Sequence, residues 1–321
     1  FGLPSDWSLD VPERYFTLEN YDGGVARWCP SCGDFAMLSA VQRICRDEQV
    51  PPEKLAMVSG IGCSSRFPHY MHAYGFHGLH GRALPVACGI KARRPDLKVW
   101  VATGDGDCCS IGAGHWLHAA RYNMDLTVMI FDNSVYGLTK KQTSPTTPIG
   151  LATNTHPDGA FLPPLDVAAT TPGFPNLSAG ARPVDWNPAH LQATLATASR
   201  HVGTSFVHIL QRCPTYTPKI FESLRNDPDR ILLLTHSGGV PVEPAVERMY
   251  KNRQEHDPSD LAAARSLASG GDRLAIGLLY RNPDAPRYDQ YTVRGLGMSR
   301  EQKVAAIERE LRYNAARPTR L

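Results

Sequence analysis

The stretch LKVWVATGDGD, residues 97–107, decides the fold. Its apolar part, Leu97–Thr103, has the length and the β-branched and aromatic content of a buried strand. The strand runs directly into the polar sequence GDGD at 104–107, where glycines permit a tight turn and a close approach of the backbone to a ligand. The stretch therefore predicts a buried strand that ends at a polar, glycine-rich turn.

A second stretch, LTVMIFDN at 126–133, repeats this arrangement. The predicted strand Leu126–Phe131 is followed at once by Asp132 and Asn133. Residues 107 to 132 separate Gly106 from Asn133. Because open α/β sheets bind ligands at the carboxyl ends of their parallel strands, we expect both polar turns to border one crevice.

The residue types in these turns suit a diphosphate bound through magnesium. Asp105 offers a carboxylate oxygen and Asn133 an amide oxygen, and Mg²⁺ is usually held by one or two carboxylates together with phosphate oxygens. A helix predicted from Ser110 offers its N-terminus to the same anion. Gly-Asp-Gly alone is often only a turn, but with an asparagine after a second strand it resembles the thiamine diphosphate motif of thiamine enzymes.

The rest of the chain alternates helices with strands. Further predicted elements are the helices Asp34–Asp47, Arg82–Arg93, Ser110–Tyr122 and Pro188–Arg200 and the strands Leu55–Ser59 and Thr204–Gln211. This alternation is typical of an α/β fold with a parallel sheet flanked by crossover helices. Residues 143–188, rich in Pro, Thr, Asn and Gly, predict a long loop, and such loops are commonly functional or disordered.

The sequence predicts a domain boundary at residue 225. Residues 1–225 would form the α/β domain, beginning with a polar arm over 1–28. Residues 226–321 would form a C-terminal extension of unknown role. That extension contains an apolar stretch, Leu274–Tyr280, and a charged amphipathic helix from about Ser299 to Arg317.

Composition excludes several classes of partner. The chain has 321 residues, of which 42% are hydrophobic and 20% charged, as in ordinary globular proteins. The net charge is +3 and no long basic run occurs, so nucleic acid and membrane surfaces are poor candidate partners. No apolar run reaches the roughly 18 residues that a membrane span needs, and no signal peptide is visible, so a reducing cytoplasm is expected.

Cysteines form a second candidate site. Cys29-Pro-Ser-Cys32 is a CxxC pair, which alone fits a redox, zinc or iron–sulfur site. Cys63 and Cys213 each follow a predicted strand and should reach the same edge of the sheet as the diphosphate turns. Four thiolates there suit a 4Fe–4S cluster or a structural zinc. The remaining cysteines, Cys45, Cys88, Cys108 and Cys109, are predicted to be buried thiols.

Taken together, these residues resemble the beta subunits of 2-oxoacid:ferredoxin oxidoreductases, and the 2-oxoglutarate type in particular. The resemblance covers roughly residues 20 to 225. It rests on WCPSCGD (28–34), IGCSSR (61–66), HGRALP (80–85), GDGD (104–107), DNSVYGLT (132–139) and QTSPT (142–146). One departure is Lys141, at a position where many family members have glycine.

The resemblance implies the roles of individual residues. Cys29, Cys32, Cys63 and Cys213 would bind a 4Fe–4S cluster, and Asp105, Asn133 and the Val135 carbonyl would hold Mg²⁺. Other contacts to thiamine diphosphate would come from Ser64, His80, Arg82, Gly104, Gly106, Asp107, Gly137 and Leu138. For His80 and Arg82, a capping and packing turn before a helix is the alternative.

The resemblance also implies an activity and partners. It implies oxidative decarboxylation of 2-oxoglutarate to succinyl-CoA, with electrons passing through the cluster to ferredoxin, and an alpha subunit in an α2β2 assembly. Arg66, Lys140 and Lys141 are predicted to bind the second carboxylate of the substrate, because burying that charge without a cation would be costly. Solvated or structural roles are the alternative for these three residues.

Three other functions remain open at this stage. The substrate could be pyruvate or a branched-chain 2-oxoacid. The chain could belong to a non-redox thiamine decarboxylase or carboligase with a structural zinc, although such enzymes usually carry both halves of the cofactor site on one longer chain. A non-enzymatic protein for metal binding or assembly is the last alternative.

Overall fold

The computed structural model describes residues 15–292 and 298–315. The strands are β1 (Leu55–Ser59), β2 (Tyr74–His77), β3 (Lys98–Gly104), β4 (Leu126–Asp132), β5 (Ala179–Arg182), β6 (Thr204–Leu210), β7 (Ile231–Thr235), β8 (Arg253–Glu255) and β9 (Leu274–Arg281). The helices are α1 (Asp34–Asp47), α2 (Ala83–Arg93), α3 (Ala113–Tyr122), α4 (Val167–Thr170), α5 (Pro188–Arg200), α6 (Glu222–Asn226), α7 (Pro244–Met249), α8 (Leu261–Ala268), α9 (Tyr288–Thr292) and α10 (Arg300–Ala315).

The strands form one sheet in the order β2-β1-β3-β4-β6-β5-β9-β7-β8. In the described part of the chain, the antiparallel pair is β5 and β9, and the other neighbouring strands run parallel. The predicted α/β class is therefore confirmed. Strands β1, β4 and β6 are buried along their whole length, as expected for parallel strands covered on both faces.

Two hydrophobic clusters cover the two faces of the sheet. One contains Trp100 and Leu195, and the other contains Val101 and Trp116. Trp100 and Val101 are neighbours on β3, and successive side chains of a strand point to opposite faces. The core is thus divided by the sheet into two layers, each closed by helices.

Most predicted elements agree with the structure, and the differences are local. The helix predicted from Ser110 begins at Ala113, because residues Asp107–Ile111 form a π-helical turn, a feature often found at functional sites. The predicted loop 143–188 contains α4 and β5. Of the predicted arm, residues 1–14 lie outside the described residues, as do residues 316–321 beyond α10.

The segment after residue 225 contributes β7, β8 and β9 to the same sheet. Arg182, at the end of β5, is 2% exposed and donates to the carbonyl oxygens of Ala275 at 2.8 Å and Ala268 at 3.3 Å. The boundary at residue 225 stays a prediction, and the sheet continues across it. Among residues 15–292 and 298–315, none of the helices combines the length and apolar character that crossing a membrane requires.

Candidate active site

A cavity of about 170 Å³ lies at the carboxyl ends of the central strands. Asp132 at the end of β4 pairs with Leu210 at the end of β6, so the turns that follow these strands open to the same place. The residues lining the cavity are Ile61, Gly62, Cys63, Ser64, His80, Gly104, Asp105, Gly106, Asp107, Phe131, Asn133, Val135, Tyr136, Gly137, Leu138, Thr139 and Gln211. The two polar turns expected to share one crevice do border it together.

Asp105 is the first predicted magnesium ligand. It is 3% exposed, and its Oδ2 accepts a hydrogen bond from the Thr146 hydroxyl at 2.8 Å. Burial, and after it the nearby Asp132 carboxylate, raise the pKa of Asp105 above its ordinary value. A divalent cation bound here would offset both effects, so this donor set fits Mg²⁺ held together with a diphosphate.

Asn133 and Val135 lie on the same cavity wall. The Val135 N–H donates to Asn133 Oδ1 at 3.1 Å, and Ser134 between them has a left-handed φ of 59°. This tight turn holds the side chain of Asn133 and the backbone of Val135 in place. The predicted magnesium donors are therefore gathered at the cavity, and their binding of the metal stays a prediction.

Thr146 and His208 were missed by reasoning from the sequence. The Thr146 hydroxyl lies 2.8 Å from Asp105 Oδ2 and 2.7 Å from Asp132 Oδ1, although it can donate to only one of them at a time. Behind them, His208 Nε2 lies 2.8 Å from Asp132 Oδ2. Thr146 belongs to the quoted QTSPT stretch, which could have signalled it, whereas His208 lies within an ordinary apolar strand.

Asp107 lines the cavity, but its carboxylate oxygens are bonded to donors of the protein itself. Its Oδ1 accepts from Ile61 N at 3.0 Å and Gly81 N at 2.7 Å and lies 2.6 Å from His80 Nδ1. Its Oδ2 accepts from the Thr103 hydroxyl at 2.6 Å. Asp107 therefore connects the turns that follow β1, precede α2 and end β3.

The predicted glycine contacts also border the cavity. A Cβ built on Gly106 would collide with the Tyr136 ring, and the Tyr136 hydroxyl donates to the Gly106 carbonyl at 3.1 Å. Only glycine leaves room for this close approach. The other predicted cofactor residues that line the cavity are Ser64, Gly104, Gly137 and Leu138.

Arg82 and Arg66 do not line the cavity. Arg82 is exposed, and its Nη1 lies 2.8 Å from His115 Nε2. The guanidinium of Arg66 lies over the Tyr70 ring, 5.8 Å from its centroid. Contacts of these arginines with a cofactor or substrate stay predictions.

Lys140 and Lys141 also lie outside the lining of the cavity, in a turn closed by the bridge between Tyr136 and Gln142. Their φ angles are 73° and 71°, in the left-handed region that costs an L-residue roughly 1–2 kcal/mol. Glycine avoids that cost, which explains physically why glycine suits the position where this chain has Lys141.

Electrostatic interactions link the four predicted cluster ligands, and one of them, Cys63, lines the cavity. Cys63 lines it, Cys29 is exposed, Cys32 is partly buried and Cys213 is buried, and all four are free. Burial, then Asp34, then Cys213 and Cys29 raise the pKa of the Cys63 thiol to about 12. The sulfur atoms are thus near enough to influence one another electrostatically, and their binding of iron stays a prediction.

Hydrogen-bond donors already point at two of these sulfur atoms. Gln211 Nε2 donates to Cys32 Sγ, and the Tyr216 N–H donates to Cys213 Sγ, both at 3.4 Å. Such donors stabilise thiolates and tune iron–sulfur centres.

Among the described residues, no three His, Cys, Asp or Glu side chains converge on a point that could hold a metal ion. Cys45, Cys108 and Cys109 are buried in the hydrophobic clusters, as predicted, whereas Cys88 is only partly buried against one of them.

Comparisons with known proteins agree with this geometry. Residues 60–209 match the thiamine pyrophosphate enzyme, C-terminal TPP binding domain, and residues 246–293 match the family of the C-terminal part of the pyruvate ferredoxin oxidoreductase beta subunit. The chain is 38% identical over 272 residues to 2-oxoacid:ferredoxin oxidoreductase 2, subunit beta, of Aeropyrum pernix, covering 82% of each chain. The chain belongs to the beta-subunit family of the 2-oxoacid:ferredoxin oxidoreductases.

Two further members show how far the likeness extends. The 2-oxoglutarate oxidoreductase subunit KorB of Mycobacterium tuberculosis is 40% identical over 218 residues, which are 67% of this chain but only 58% of that protein. A solved 2-oxoglutarate:ferredoxin oxidoreductase from Magnetococcus marinus, with 2-oxoglutarate, coenzyme A and succinyl-CoA bound, superimposes with a TM-score of 0.74 at 32% identity. That match covers 94% of this chain and 97% of the other, so it includes most of the segment after residue 225.

Proposed function

We propose that this chain is the catalytic beta subunit of a CoA-dependent 2-oxoacid:ferredoxin oxidoreductase, with 2-oxoglutarate as its substrate. One observation carries the proposal. A single cavity is bordered both by the donor set for a magnesium diphosphate, around Asp105 and Asn133, and by Cys63 of the cysteine group. When bound, thiamine diphosphate supplies carbanion stabilisation and the cluster accepts single electrons.

The residues of the cavity would divide the binding of the cofactor between them. Asp105, the Asn133 amide oxygen and the Val135 carbonyl would hold Mg²⁺, which bridges the diphosphate. Gly104 and Gly106 would let the backbone approach the phosphates closely. These are binding and orienting roles.

The cysteines would connect the cavity with the protein surface. Cys63 lines the cavity, whereas Cys29 is exposed. A cluster held by Cys29, Cys32, Cys63 and Cys213 would therefore have one side at the reacting centre and another toward solvent. Ferredoxin could approach the solvent side and remove electrons there.

An alpha subunit would complete the site. Leu138 lines the cavity and is 46% exposed. Leu79, which precedes the cavity-lining His80, and Ile111, at the end of the π-helical turn, are 75% and 61% exposed. Apolar side chains left exposed around a cavity commonly mark a surface that a partner chain covers. We propose an αβ pair, doubled to α2β2, with the substrate bound between the two chains.

The nature of the metal centre gives the decisive test. Purified without oxygen together with its partner chain, the protein should be brown and should bleach with dithionite. Cys213→Ser should lose most of the iron, whereas the matched control Cys45→Ser, at a buried position remote from the cavity, should keep it. A colourless protein that contains zinc would instead support the non-redox thiamine enzyme.

The diphosphate site is tested by calorimetry. Asp105→Asn should lower the affinity for thiamine diphosphate with Mg²⁺ by about a hundredfold or more, because the amide cannot replace the charged ligand. Asp125→Asn is the control, since Asp125 precedes β4 and lies at the opposite end of the sheet. Equal affinities in the two variants would refute the site.

The proposed substrate is tested in the assembled enzyme. The ratio of kcat/KM for 2-oxoglutarate to that for pyruvate should fall in Arg66→Ala and Lys140→Ala, because either cation could pair with the second carboxylate. Lys141→Ala is tested alongside. If pyruvate is preferred, or none of these substitutions alters the ratio, the assignment of the substrate to these cations is wrong.

A further inference from the structure

Both carboxylate oxygen atoms of Asp107 accept hydrogen bonds from donors of the protein itself. Its carboxylate is 2% exposed and is bonded to donors on the turn after β1, the turn before α2 and the end of β3. A buried carboxylate needs donors for its oxygen atoms, and here they come from the protein. Asp107 is therefore poorly suited to contact an anionic cofactor and well suited to fix the segments around it.

The space around Asp107 is closed by residues without side chains. A Cβ on Gly60 would collide with the Asp107 carboxylate, and a Cβ on Gly81 would lie 2.7 Å from the backbone nitrogen of Gly112. Gly81 also has a φ of 72°, which an L-residue rarely adopts. Gly60 thus packs directly against the carboxylate, and Gly81 packs against the backbone that follows Asp107 at Ile111 and Gly112.

Of the described residues that line the cavity, His80 bonds to Asp107 through its side chain, whereas Ile61 does so through its backbone N–H. Its Nδ1 lies 2.6 Å from Asp107 Oδ1, and its ring packs edge-on against Tyr136 with the centroids 6.0 Å apart. Because an ionised carboxylate can only accept hydrogen bonds, Nδ1 carries the hydrogen of this bond. The ring nitrogen left for a ligand is Nε2, and no other described residue forms a hydrogen bond with it.

We propose that Asp107 is a positioning residue for His80: by bonding to Nδ1 it makes Nε2 the atom available for the cofactor contact that the family resemblance implies for His80. The inference rests on the proposed function, since it takes thiamine diphosphate as the occupant of the cavity. Asp107 bonds to Nδ1 of the imidazole, the ring nitrogen opposite Nε2. Its other hydrogen bonds connect three turns of the cavity wall. Partners of this kind orient the groups that touch the ligand.

Substitutions of His80 distinguish the roles of its two ring nitrogen atoms. In His80→Asn the shorter amide can still donate to Asp107 but has nothing at the position of Nε2. In His80→Gln the longer amide can reach that position. With the assembled protein and calorimetric titration of thiamine diphosphate plus Mg²⁺, we expect His80→Asn and His80→Ala to bind at least tenfold more weakly than the wild type. His80→Gln should recover part of the loss.

Substitutions of Asp107 test the coupling between the two residues. Asp107→Asn should bind within about threefold of the wild type, because its amide oxygen can still accept the N–H groups while the Thr103 hydroxyl turns to accept. Asp107→Ala should weaken binding at least tenfold in the wild-type background and by much less in the His80→Ala background, since coupled residues are not additive. His118→Asn, on the exposed face of α3, is the control for His80.

The outcomes separate this inference from the proposed function. No binding of thiamine diphosphate by the wild type would overturn the proposed function itself. Normal binding by the wild type and by His80→Asn would overturn only the role of Nε2. Full additivity of Asp107→Ala and His80→Ala would overturn the positioning role. If Asp107→Ala does not fold, a loss in Asp107→Asn as large as that in His80→Ala would contradict positioning by hydrogen bonds.

Discussion

At the scale of single residues, the Thr146 hydroxyl stands between the carboxylates of Asp105 and Asp132. Thr146→Val keeps the shape of the side chain and removes the donor. We expect the free energy of unfolding without cofactor to fall by about 1–3 kcal/mol, because buried carboxylate oxygens lose a partner. Mg²⁺ with thiamine diphosphate should then raise the melting temperature of the variant more than that of the wild type.

The control for this experiment is Thr197→Val on α5, where the hydroxyl donates to the Ala193 carbonyl at 2.9 Å, away from the cavity. Thermal melts with and without Mg²⁺ and cofactor are compared. If both variants respond equally to the cofactor, the hydroxyl of Thr146 has no special role between the carboxylates.

His190 makes the stability depend on pH. It is 1% exposed, neither ring nitrogen has a hydrogen-bond partner among the described residues, and burial lowers its pKa to about 4. A histidine in the unfolded chain has a pKa of about 6.5. Between these values the unfolded chain binds a proton that the folded chain does not, so stability falls as the pH falls from about 6.5 toward 4.

His190→Leu should remove this dependence. The difference in free energy of unfolding between wild type and variant should change by about 2–3 kcal/mol, in favour of the variant, between about pH 8 and pH 4. Urea denaturation at several pH values measures it, with His118→Leu at an exposed position as the control. If the free energy of unfolding of the wild type and of His190→Leu changed with pH in parallel, His190 would not titrate in this way.

Single residues of the site were predictable where the signal is local. Asp105, Asn133 and Cys63 each follow an apolar run that had to be a strand, so their place at the edge of the sheet could be deduced from sequence. The role of Asp107 could not be deduced, because it depends on which donors three distant turns bring to it. Neither could that of His208, whose partner lies on another strand.

At the scale of elements, the turn containing Lys140 and Lys141 stores backbone strain. Lys141→Gly should raise the free energy of unfolding by up to about 1 kcal/mol, because glycine adopts a φ of 71° without steric cost. Lys219→Gly, at an exposed position outside the left-handed region, should instead lower stability slightly. Equal losses in both variants would show that the turn is not strained.

Strands were predictable in proportion to their apolar content. The central strands β1, β3, β4 and β6 carry continuous apolar runs and were found with nearly correct bounds. Strand β2 has the sequence YGFH and is exposed throughout, and β5 has the sequence AGAR. Such short stretches become strands because neighbours pair with them, so tertiary context decides.

At the scale of the whole molecule, the buried Arg182 joins the C-terminal segment to the central sheet. Arg182→Met should lower the free energy of unfolding by about 2–4 kcal/mol, because two buried carbonyl groups lose their donor. Because the sheet is continuous across residue 225, we expect unfolding in guanidinium to remain a single transition. The control is Arg273→Met, at an exposed position.

Two separate unfolding transitions, or equal stability of the Arg182 and Arg273 variants, would contradict a single folding unit. Either result would support a C-terminal extension that folds independently. The sequence predicted the apolar stretch Leu274–Tyr280, which is β9, but not its partner. Pairing between β5 and β9 joins residues about a hundred positions apart, and such long-range pairing leaves no local signal.

The wide spread of the site along the chain has a consequence for how the protein is made. Cys29 and Cys32 are synthesised long before Cys213, which follows β6, a strand whose end borders the cavity. During synthesis the thiols of Cys29 and Cys32 therefore remain without the fourth ligand while residues 33–212 are added. We expect iron delivery to act on a chain that has been made and folded beyond Cys213, and nascent chains truncated before Cys213 to accept no iron even when iron and sulfide are supplied.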